Sequence, residues 1–147
     1  MALVIRKADL SCLDAVEKIE ELCFSLPWTR EQLGTAMVDE RQIFLVAEDV
    51  GEILGYVSMM FVLDEAYIGN VAVAPEHRRR GVASALLESL LQRVKAMGLA
   101  FVTLEVRATN MPAIALYEQF GFSVVGRRKN YYSAPTEDAL IMTRVWK

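Results

Sequence analysis

A basic loop followed by small residues is the segment of the sequence best suited to hold a charged ligand. Arg78, Arg79 and Arg80 precede Gly81 and Ala83, and a long helical pattern begins at Gly81. The first turn of a helix has unpaired N–H groups and a partial positive charge, which together favour a phosphate. Gly81 and Ala83 have little side-chain bulk, so phosphate oxygens could approach those N–H groups closely. The alternative is a solvated basic turn ahead of an ordinary helix.

Two further side chains could carry out acid–base chemistry in apolar surroundings. Glu105 lies within a strand pattern at 101–106, where a carboxylate is costly unless it is paired or faces a cavity. Its alternative role is a structural ion pair with a neighbour such as Arg107. Tyr117 lies in a helical pattern, where a tyrosine is more often a core residue with a satisfied hydroxyl. The residue types alone leave both roles open.

The elements that must position these residues alternate between strand and helix patterns. Strands are predicted at 3–7, 43–47, 53–63, 67–73, 101–106, 122–126 and 139–145. Helices are predicted from the caps at Asp9 and Ser11 to about 22, from the Thr29 capping box to about 38, and at 81–97 and 112–120. This order predicts an α/β fold with a mixed central sheet of about seven strands and about four flanking helices.

Composition narrows the range of functions. A chain of 147 residues, 54 % of them apolar, suits a single domain spanning residues 1–147. No apolar run approaches the roughly 20 residues of a membrane span, and the first apolar stretch is too short for a signal peptide, so we expect a soluble cytoplasmic protein. Two cysteines and one histidine are too few for a zinc site, and no other metal is expected. The net charge of −3 argues against broad nucleic-acid binding.

Two motifs about 30 residues apart resemble those of the GNAT acetyltransferase superfamily. Arg78-Arg-Arg-Gly-Val-Ala83 is similar to the superfamily pattern (Q/R)-x-x-G-x-(G/A), and the strand end at 71–75 precedes it as it does in that superfamily. The segment from Asn110 to Phe122 resembles N-x-x-A-x-x-x-Y-x-x-x-G-F. The resemblance covers essentially the whole chain and implies the GNAT fold.

A narrower resemblance is to the bacterial ribosomal-protein alanine N-acetyltransferases, the RimI family. It rests on four segments, Pro27-Trp-Thr29, Leu63-Asp-Glu-Ala66, Leu104-Glu-Val-Arg107 and Arg128-Lys-Asn-Tyr-Tyr132. It implies that an acetyl group passes from acetyl-CoA to the N-terminal alanine amine of a small-subunit ribosomal protein, by direct attack of the amine on the thioester. It leaves open whether the enzyme works alone or in a larger complex.

The resemblance also implies roles for individual residues. Glu105 would be the general base, acting through a water molecule, and Tyr117 would protonate the leaving thiolate. The backbone of Val71, Ala72 and Val73 would pair with the pantetheine arm of the cofactor. Residues expected at the pyrophosphate and the thioester end are Arg78, Arg79, Arg80, Gly81, Val82, Ala83, Ser84 and Asn110. Residues expected to contact the acceptor are Pro27, Trp28, Tyr131 and Tyr132.

Two other functions stay open at the level of sequence. One is an acetyltransferase of the same superfamily that acts on a lysine or a small-molecule amine. The other is a CoA-binding sensor without turnover. The presence of both Glu105 and Tyr117 at the superfamily's positions argues against a sensor, because loss of either would be the expected mark of one.

Overall fold

A computed structural model describes residues 2–146, so Met1 and Lys147 of the predicted domain lie outside the described residues. The strands are β1 Val4–Lys7, β2 Gln42–Asp49, β3 Glu52–Val62, β4 Glu65–Val73, β5 Phe101–Arg107, β6 Ser123–Tyr132 and β7 Glu137–Val145. The helices are α1 Leu13–Cys23, α2 Arg30–Val38, α3 Val82–Met97 and α4 Met111–Gln119. None of the helices in this part of the chain has the length and apolar character that crossing a bilayer requires.

The seven strands form one mixed sheet with helices on both faces, as the sequence predicts. The strand order is β1-β2-β3-β4-β5-β7-β6, and β4 with β5 is the parallel pair. One hydrophobic core packs α3 and α4 against the sheet, and a second packs α1 and α2 against the other face. The mixed α/β architecture with four helices is therefore confirmed.

Local signals account for the helix ends. Asp9 caps a short 3-10 turn that leads into α1, accepting a hydrogen bond from the Ser11 backbone. Thr29 and Gln32 form the predicted capping box at the start of α2. Gly98 ends α3 in the left-handed conformation, with a φ of 72°.

Strand β6 is longer than predicted, and the sequence interpretation that ended it at Gly126 was wrong. The strand continues through the charged segment after Gly126 because it pairs with β7, matching Arg128 with Ala139 and Tyr132 with Glu137. Strand β6 is one of the two edge strands of the sheet, and its residues from 127 to 131 are exposed, so the strand can carry this charged segment without burying it. The consequence for the candidate site is that Tyr132 ends a strand instead of lying in a loop.

The parallel pair β4–β5 is joined over a short distance only. The paired positions are Glu65 with Phe101, Ala66 with Val102, and Tyr67 with Thr103. Beyond them the two strands separate and leave an opening in the middle of the sheet. On the other side of β4 the register with β3 shifts between Ser58 and Met59, which leaves Gly69 as a bulge residue beside this opening.

Gly55 allows β3, β4 and the start of α3 to pack closely, and its replacement provides a test of this packing. A Cβ at position 55 would lie 2.7 Å from the Ala72 carbonyl oxygen and 3.2 Å from Cγ1 of Val82. We expect Gly55→Ala to lower the free energy of unfolding by about 1–3 kcal/mol, because backbone would have to move. Urea unfolding followed by circular dichroism measures the change.

Gly34→Ala is the matched control for this prediction. Gly34 lies within α2, and an added Cβ would meet Leu13 Cδ2 at an ordinary 3.7 Å. Alanine should raise the stability by about 0.5–1 kcal/mol, because glycine is costly inside a helix. If both substitutions shifted the unfolding midpoint in the same direction, the close packing at Gly55 would not be the cause of its effect.

Candidate active site

The β4 edge of the opening presents backbone groups that β5 does not pair. The Ala74 N–H donates to the Leu54 carbonyl at 2.8 Å, on the β3 side of the strand. Because backbone groups of successive strand residues alternate in direction, those of Val71 and Val73 face the opening. These are backbone groups that the family resemblance assigns to the cofactor. The Val73 carbonyl already accepts a hydrogen bond of 3.3 Å from Nε of Arg78.

The basic loop after β4 carries a series of backbone donors. Arg79 and Gly81 have left-handed φ values of 64° and 77°. The first hydrogen bond of α3 runs from the Ala85 N–H to the Gly81 carbonyl, 3.0 Å. Within residues 2–146, the N–H groups from 79 to 84 have no acceptor. Such an array of free N–H groups at a helix start binds phosphate oxygens.

The loop's side chains leave this array accessible. Arg78, Arg79, Arg80 and Gly81 are exposed. No atom lies within 4 Å of the position that a Cβ of Gly81 would take. An anion could therefore reach the N–H groups with guanidinium groups close by.

Asn110 lies where β5 leads into α4. Its Oδ1 accepts a hydrogen bond of 3.3 Å from the Ala113 N–H, so the side chain caps the helix. Its amide NH₂ group donates to no acceptor in the described part of the chain. The structure thus assigns Asn110 a capping role and leaves its second polar group free for a ligand.

Glu105 lies on β5 beyond the last pairing with β4. Its side chain is 27 % exposed, and Oε1 lies 3.4 Å from Nε of Arg128 on β6. The sequence suggested Arg107 as its ion-pair partner, and the structure corrects this. Arg107 is engaged by Glu137 at 3.3 Å and by the Ser133 carbonyl at 3.1 Å.

Tyr117 on α4 combines a buried ring with a free hydroxyl. The residue is 8 % exposed, and its ring packs against Phe122 with 5.9 Å between centroids. No group in residues 2–146 hydrogen-bonds to the hydroxyl, yet no unpaired buried side-chain oxygen is present in that range, so solvent reaches it. Burial, with a smaller effect of Tyr132, raises the pKa of Tyr117 to about 12, and the hydroxyl is therefore protonated at neutral pH.

The two candidate acid–base residues approach the opening from opposite faces of the sheet. Val102, Leu104 and Val106 point into the core formed with α3 and α4, and Tyr117 belongs to that same core. Since side chains alternate along a strand, Glu105 points to the other face. Groups on the two faces could meet only where β4 and β5 have separated, so a reaction using both residues is restricted to the opening.

Tyr132, at the end of β6, lies on the same face of the sheet as Glu105 and is close enough to influence Tyr117. Burial, followed by Tyr131 and Glu105, raises the pKa of Tyr132 to about 12, and Tyr132 in turn influences the pKa of Tyr117. The Arg107 guanidinium lies 4.5 Å from the centre of the Tyr132 ring. The neighbouring Tyr131 is exposed and packs edge-on against Tyr132, 5.0 Å between centroids. The predicted tyrosine pair is therefore on the Glu105 side of the opening.

The α1–α2 loop reaches the opening from a different direction. Pro27 is exposed, and Trp28 is half-buried. A Cβ on Gly69 would lie 3.1 Å from Cη2 of Trp28, which shows that the indole ring lies directly against the bulge in β4. The structure thus brings Trp28 to the opening, whereas for Pro27 it shows only an exposed residue beside Trp28 in the chain.

The sequence of the chain matches a known protein family over most of its length. The model of the acetyltransferase (GNAT) family matches residues 13–122, which include the basic loop and both candidate acid–base residues. The chain belongs to the GNAT acetyltransferase family. GNAT acetyltransferases use acetyl-CoA as the acetyl donor.

Individual GNAT relatives cover nearly the whole chain. The ribosomal protein bS18-alanine N-acetyltransferase of Escherichia coli K12 is 36 % identical over 140 residues, 94 % of each chain. A crystal structure of the ribosomal-protein-S18-alanine N-acetyltransferase from Escherichia coli superimposes with a TM-score of 0.91, at 35 % identity over 98 % of this chain and 94 % of that one. Ard1 from Thermoplasma volcanium superimposes with a TM-score of 0.90, at 28 % identity over 100 % and 99 %.

Two features of this GNAT site were not found from the sequence. Arg128 was recognised as part of a motif, but not as the partner of Glu105, because the contact depends on the register of β6 with β7 and of β7 with β5. The bulge at Gly69 was also missed. An isolated glycine in a strand pattern is the signal that could have indicated it.

The raised pKa of Tyr117 predicts how stability changes at high pH. The folded-state pKa of about 12 exceeds the ordinary value of about 10, because burial disfavours the phenolate, so ionisation of Tyr117 favours the unfolded chain. The resulting loss of stability is absent below about pH 10 and grows to about 3 kcal/mol as the pH rises through about 12. We expect the free energy of unfolding to fall less steeply in Tyr117→Phe than in the wild type over this range.

Urea unfolding at a series of pH values measures this difference. Tyr56 and Tyr132, whose pKa values are also raised by burial, contribute in both proteins, so the difference between the slopes isolates Tyr117. Equal slopes in the two proteins would mean that the Tyr117 hydroxyl is not held in a buried, protonated state.

Proposed function

We propose that this chain transfers the acetyl group of acetyl-CoA to the N-terminal alanine amine of a small-subunit ribosomal protein of the bS18 type. The observation that carries the proposal is the opening between β4 and β5, with Glu105 on one face, Tyr117 on the other and free N–H groups at its basic end. The 36 % identity to an enzyme with this substrate, over 94 % of both chains, supports the choice of acceptor. A ribosomal-protein substrate implies that the reaction takes place in the cytoplasm.

The donor would lie along β4 and the basic loop. Free N–H groups from Arg79 to Ser84 fit a pyrophosphate, and the arginines of the loop add opposite charge. The backbone of Val71, Ala72 and Val73 has an edge without a partner strand, which fits the amide groups of a pantetheine arm. Asn110 would reach the thioester end of the donor with its free amide group.

Glu105 would accept the proton of the attacking amine through a water molecule. An α-amine with a pKa near 7.8 costs about 1 kcal/mol to deprotonate at pH 7, whereas a lysine near 10.4 costs about 4.6 kcal/mol. A carboxylate is a weak base, so it suits an N-terminal amine far better than a lysine. The partial exposure of Glu105 gives water access to the carboxylate.

Tyr117 would supply a proton to the thiolate that leaves when the thioester is cleaved. When the amine attacks the thioester carbon, the C–N bond forms, the C–S bond breaks and the sulfur leaves as a thiolate. The Tyr117 hydroxyl is protonated and has no competing partner in the described residues, so it can donate to the sulfur. The proton lost by the amine replaces, through solvent, the one that Tyr117 gives.

The acceptor would bind between the α1–α2 loop and the tyrosine pair. Trp28 and Pro27 would line one wall of the groove, and Tyr131 and Tyr132 the other. Because both hydrophobic cores share one sheet, we further propose that the chain acts as a single domain. The net charge of −3 is consistent with a protein acceptor that approaches without direct nucleic-acid contacts.

The first test compares three acceptors by CoA release from acetyl-CoA. These are a peptide beginning Ala-Arg-Tyr-Phe, the same peptide with a blocked N-terminus and one added lysine, and a polyamine. We expect turnover on the free N-terminus alone. Turnover on the lysine peptide or the polyamine would replace the proposed acceptor with another amine. A thermal shift with acetyl-CoA but no turnover on any amine would indicate a sensor.

The second test separates catalysis from ion pairing at Glu105. We expect Glu105→Gln and Tyr117→Phe each to lower kcat by about 10²–10⁴, the usual contribution of a positioned acid or base. Arg128→Gln is the matched control, because it breaks the same ion pair and leaves the carboxylate in place. A half-exposed ion pair contributes about 0–1 kcal/mol to stability, so the kcat of Arg128→Gln should stay close to that of the wild type. If the two single variants, Glu105→Gln and Tyr117→Phe, both kept the kcat of the wild type, the mechanism would be refuted.

A further inference from the structure

One buried carboxylate has no part in the proposed reaction. Glu20 lies on α1 and is 1 % exposed. Its neighbours on the same helix face, Val16 and Ile19, are apolar, so Glu20 places a carboxyl group where the helix otherwise buries apolar side chains. Its Oε1 accepts hydrogen bonds from the Tyr56 hydroxyl and from Nδ2 of Asn70 at 3.1 Å. Its Oε2 accepts a hydrogen bond of 2.8 Å from the backbone N–H of Trp28. Both carboxylate oxygens are therefore satisfied by specific donors.

These donors come from three separate elements. Trp28 belongs to the α1–α2 loop, Tyr56 to β3, and Asn70 to β4. Asn70 directly follows the bulge residue Gly69 and precedes the strand edge at the opening. Glu20 therefore ties the loop that carries Trp28 to the part of β4 where the sheet opens.

A second contact joins the α1–α2 loop to β4, next to the hydrogen bonds of Glu20. The Trp28 ring lies against Gly69, the residue before Asn70. The backbone of Trp28 is thus held by Glu20 while its ring covers the bulge. If the backbone bond were lost, the ring would lose the fixed point that sets its position over the opening.

An apolar residue at this position could fill the core without the cost of burying a charge. Val16, one helical turn before Glu20, and Ile19, the residue directly before it, fill the core in this way. What an apolar residue could not supply is an acceptor for the Trp28 N–H and the Asn70 amide at a fixed distance. The geometry thus provides an orienting function that packing alone would not.

We infer that Glu20 is a positioning residue for the acceptor side of the site: it fixes Trp28 and Asn70 relative to the opening. The inference rests on the proposed function for the identity of the acceptor groove. The placement of Trp28 by Glu20 is independent of the proposed function.

The kinetic test compares Glu20→Gln with Val16→Ala. Glutamine keeps the shape of the side chain but retains one acceptor oxygen, so the Trp28 N–H and the Asn70 amide can no longer both be satisfied. We expect the KM for the Ala-Arg-Tyr-Phe peptide to rise about tenfold, while the KM for acetyl-CoA changes by less than about twofold. Val16→Ala removes buried methyl groups from the same helix face and controls for lost stability. It should lower Tm and leave both KM values near those of the wild type.

A second readout follows Trp28 without any turnover. The chain has two tryptophans, so Trp146→Phe leaves Trp28 as the sole tryptophan, and excitation at wavelengths that tyrosine does not absorb reports on it alone. In this background, Glu20→Gln should shift the Trp28 emission to longer wavelength and raise its quenching by acrylamide. Val16→Ala should leave both unchanged, because it does not touch the hydrogen bonds to the loop.

The outcomes separate the inference from the function on which it rests. If Glu20→Gln lowered Tm but left the peptide KM and the Trp28 emission and quenching unchanged, Glu20 would be a structural residue only and the inference would be overturned. If the wild type did not acetylate the peptide, the proposed function would fail. The fluorescence of Trp28 would still decide whether Glu20 positions the loop.

Discussion

The separation of β4 from β5 is the constraint on which the rest of the structure depends. A continuous sheet would satisfy the backbone groups of both strands and would keep its two faces apart. Here the pairing ends after Tyr67 and Thr103. The edge of β4 then lacks a partner strand, and in the proposed reaction this edge would bind the donor while side chains from opposite faces act on one bond. The bulge at Gly69 belongs to the same feature, since it changes the course of β4 beside the opening.

Two glutamates beside this opening have different roles because their burial and their hydrogen-bond partners differ. Glu20 is enclosed and has three donors, so its charge is used to hold other groups in place. Within residues 2–146 Glu105 is partly exposed and pairs with Arg128 alone, so in the proposed reaction its carboxylate would exchange that partner for water or an amine. Tyr56 and Tyr117 differ in the same way: the hydroxyl of Tyr56 is bound to Glu20, whereas that of Tyr117 is reached by solvent.

Features encoded by neighbouring residues could be predicted from the sequence, and features that depend on pairing between distant strands could not. The capping box at Thr29 and the glycine stop of α3 involve residues a few positions apart, and both were found. Strand β6 was ended too early because its charged segment has no strand pattern of its own and is held by β7. The partner of Glu105 was misplaced for the same reason. Arg107 is close in sequence but is engaged by Glu137, and Arg128 is brought near by two strand registers.

The basic loop and the acceptor groove are built from different parts of the chain. The loop continues β4 into α3, whereas the proposed groove would be assembled from the α1–α2 connection and the end of β6. On that proposal, insertions or substitutions at Pro27 or Tyr131 would change which amine is accepted without disturbing the cradle of N–H groups. On the proposed function, an enzyme of this architecture could evolve a new acceptor while it keeps one strand–loop–helix for the donor.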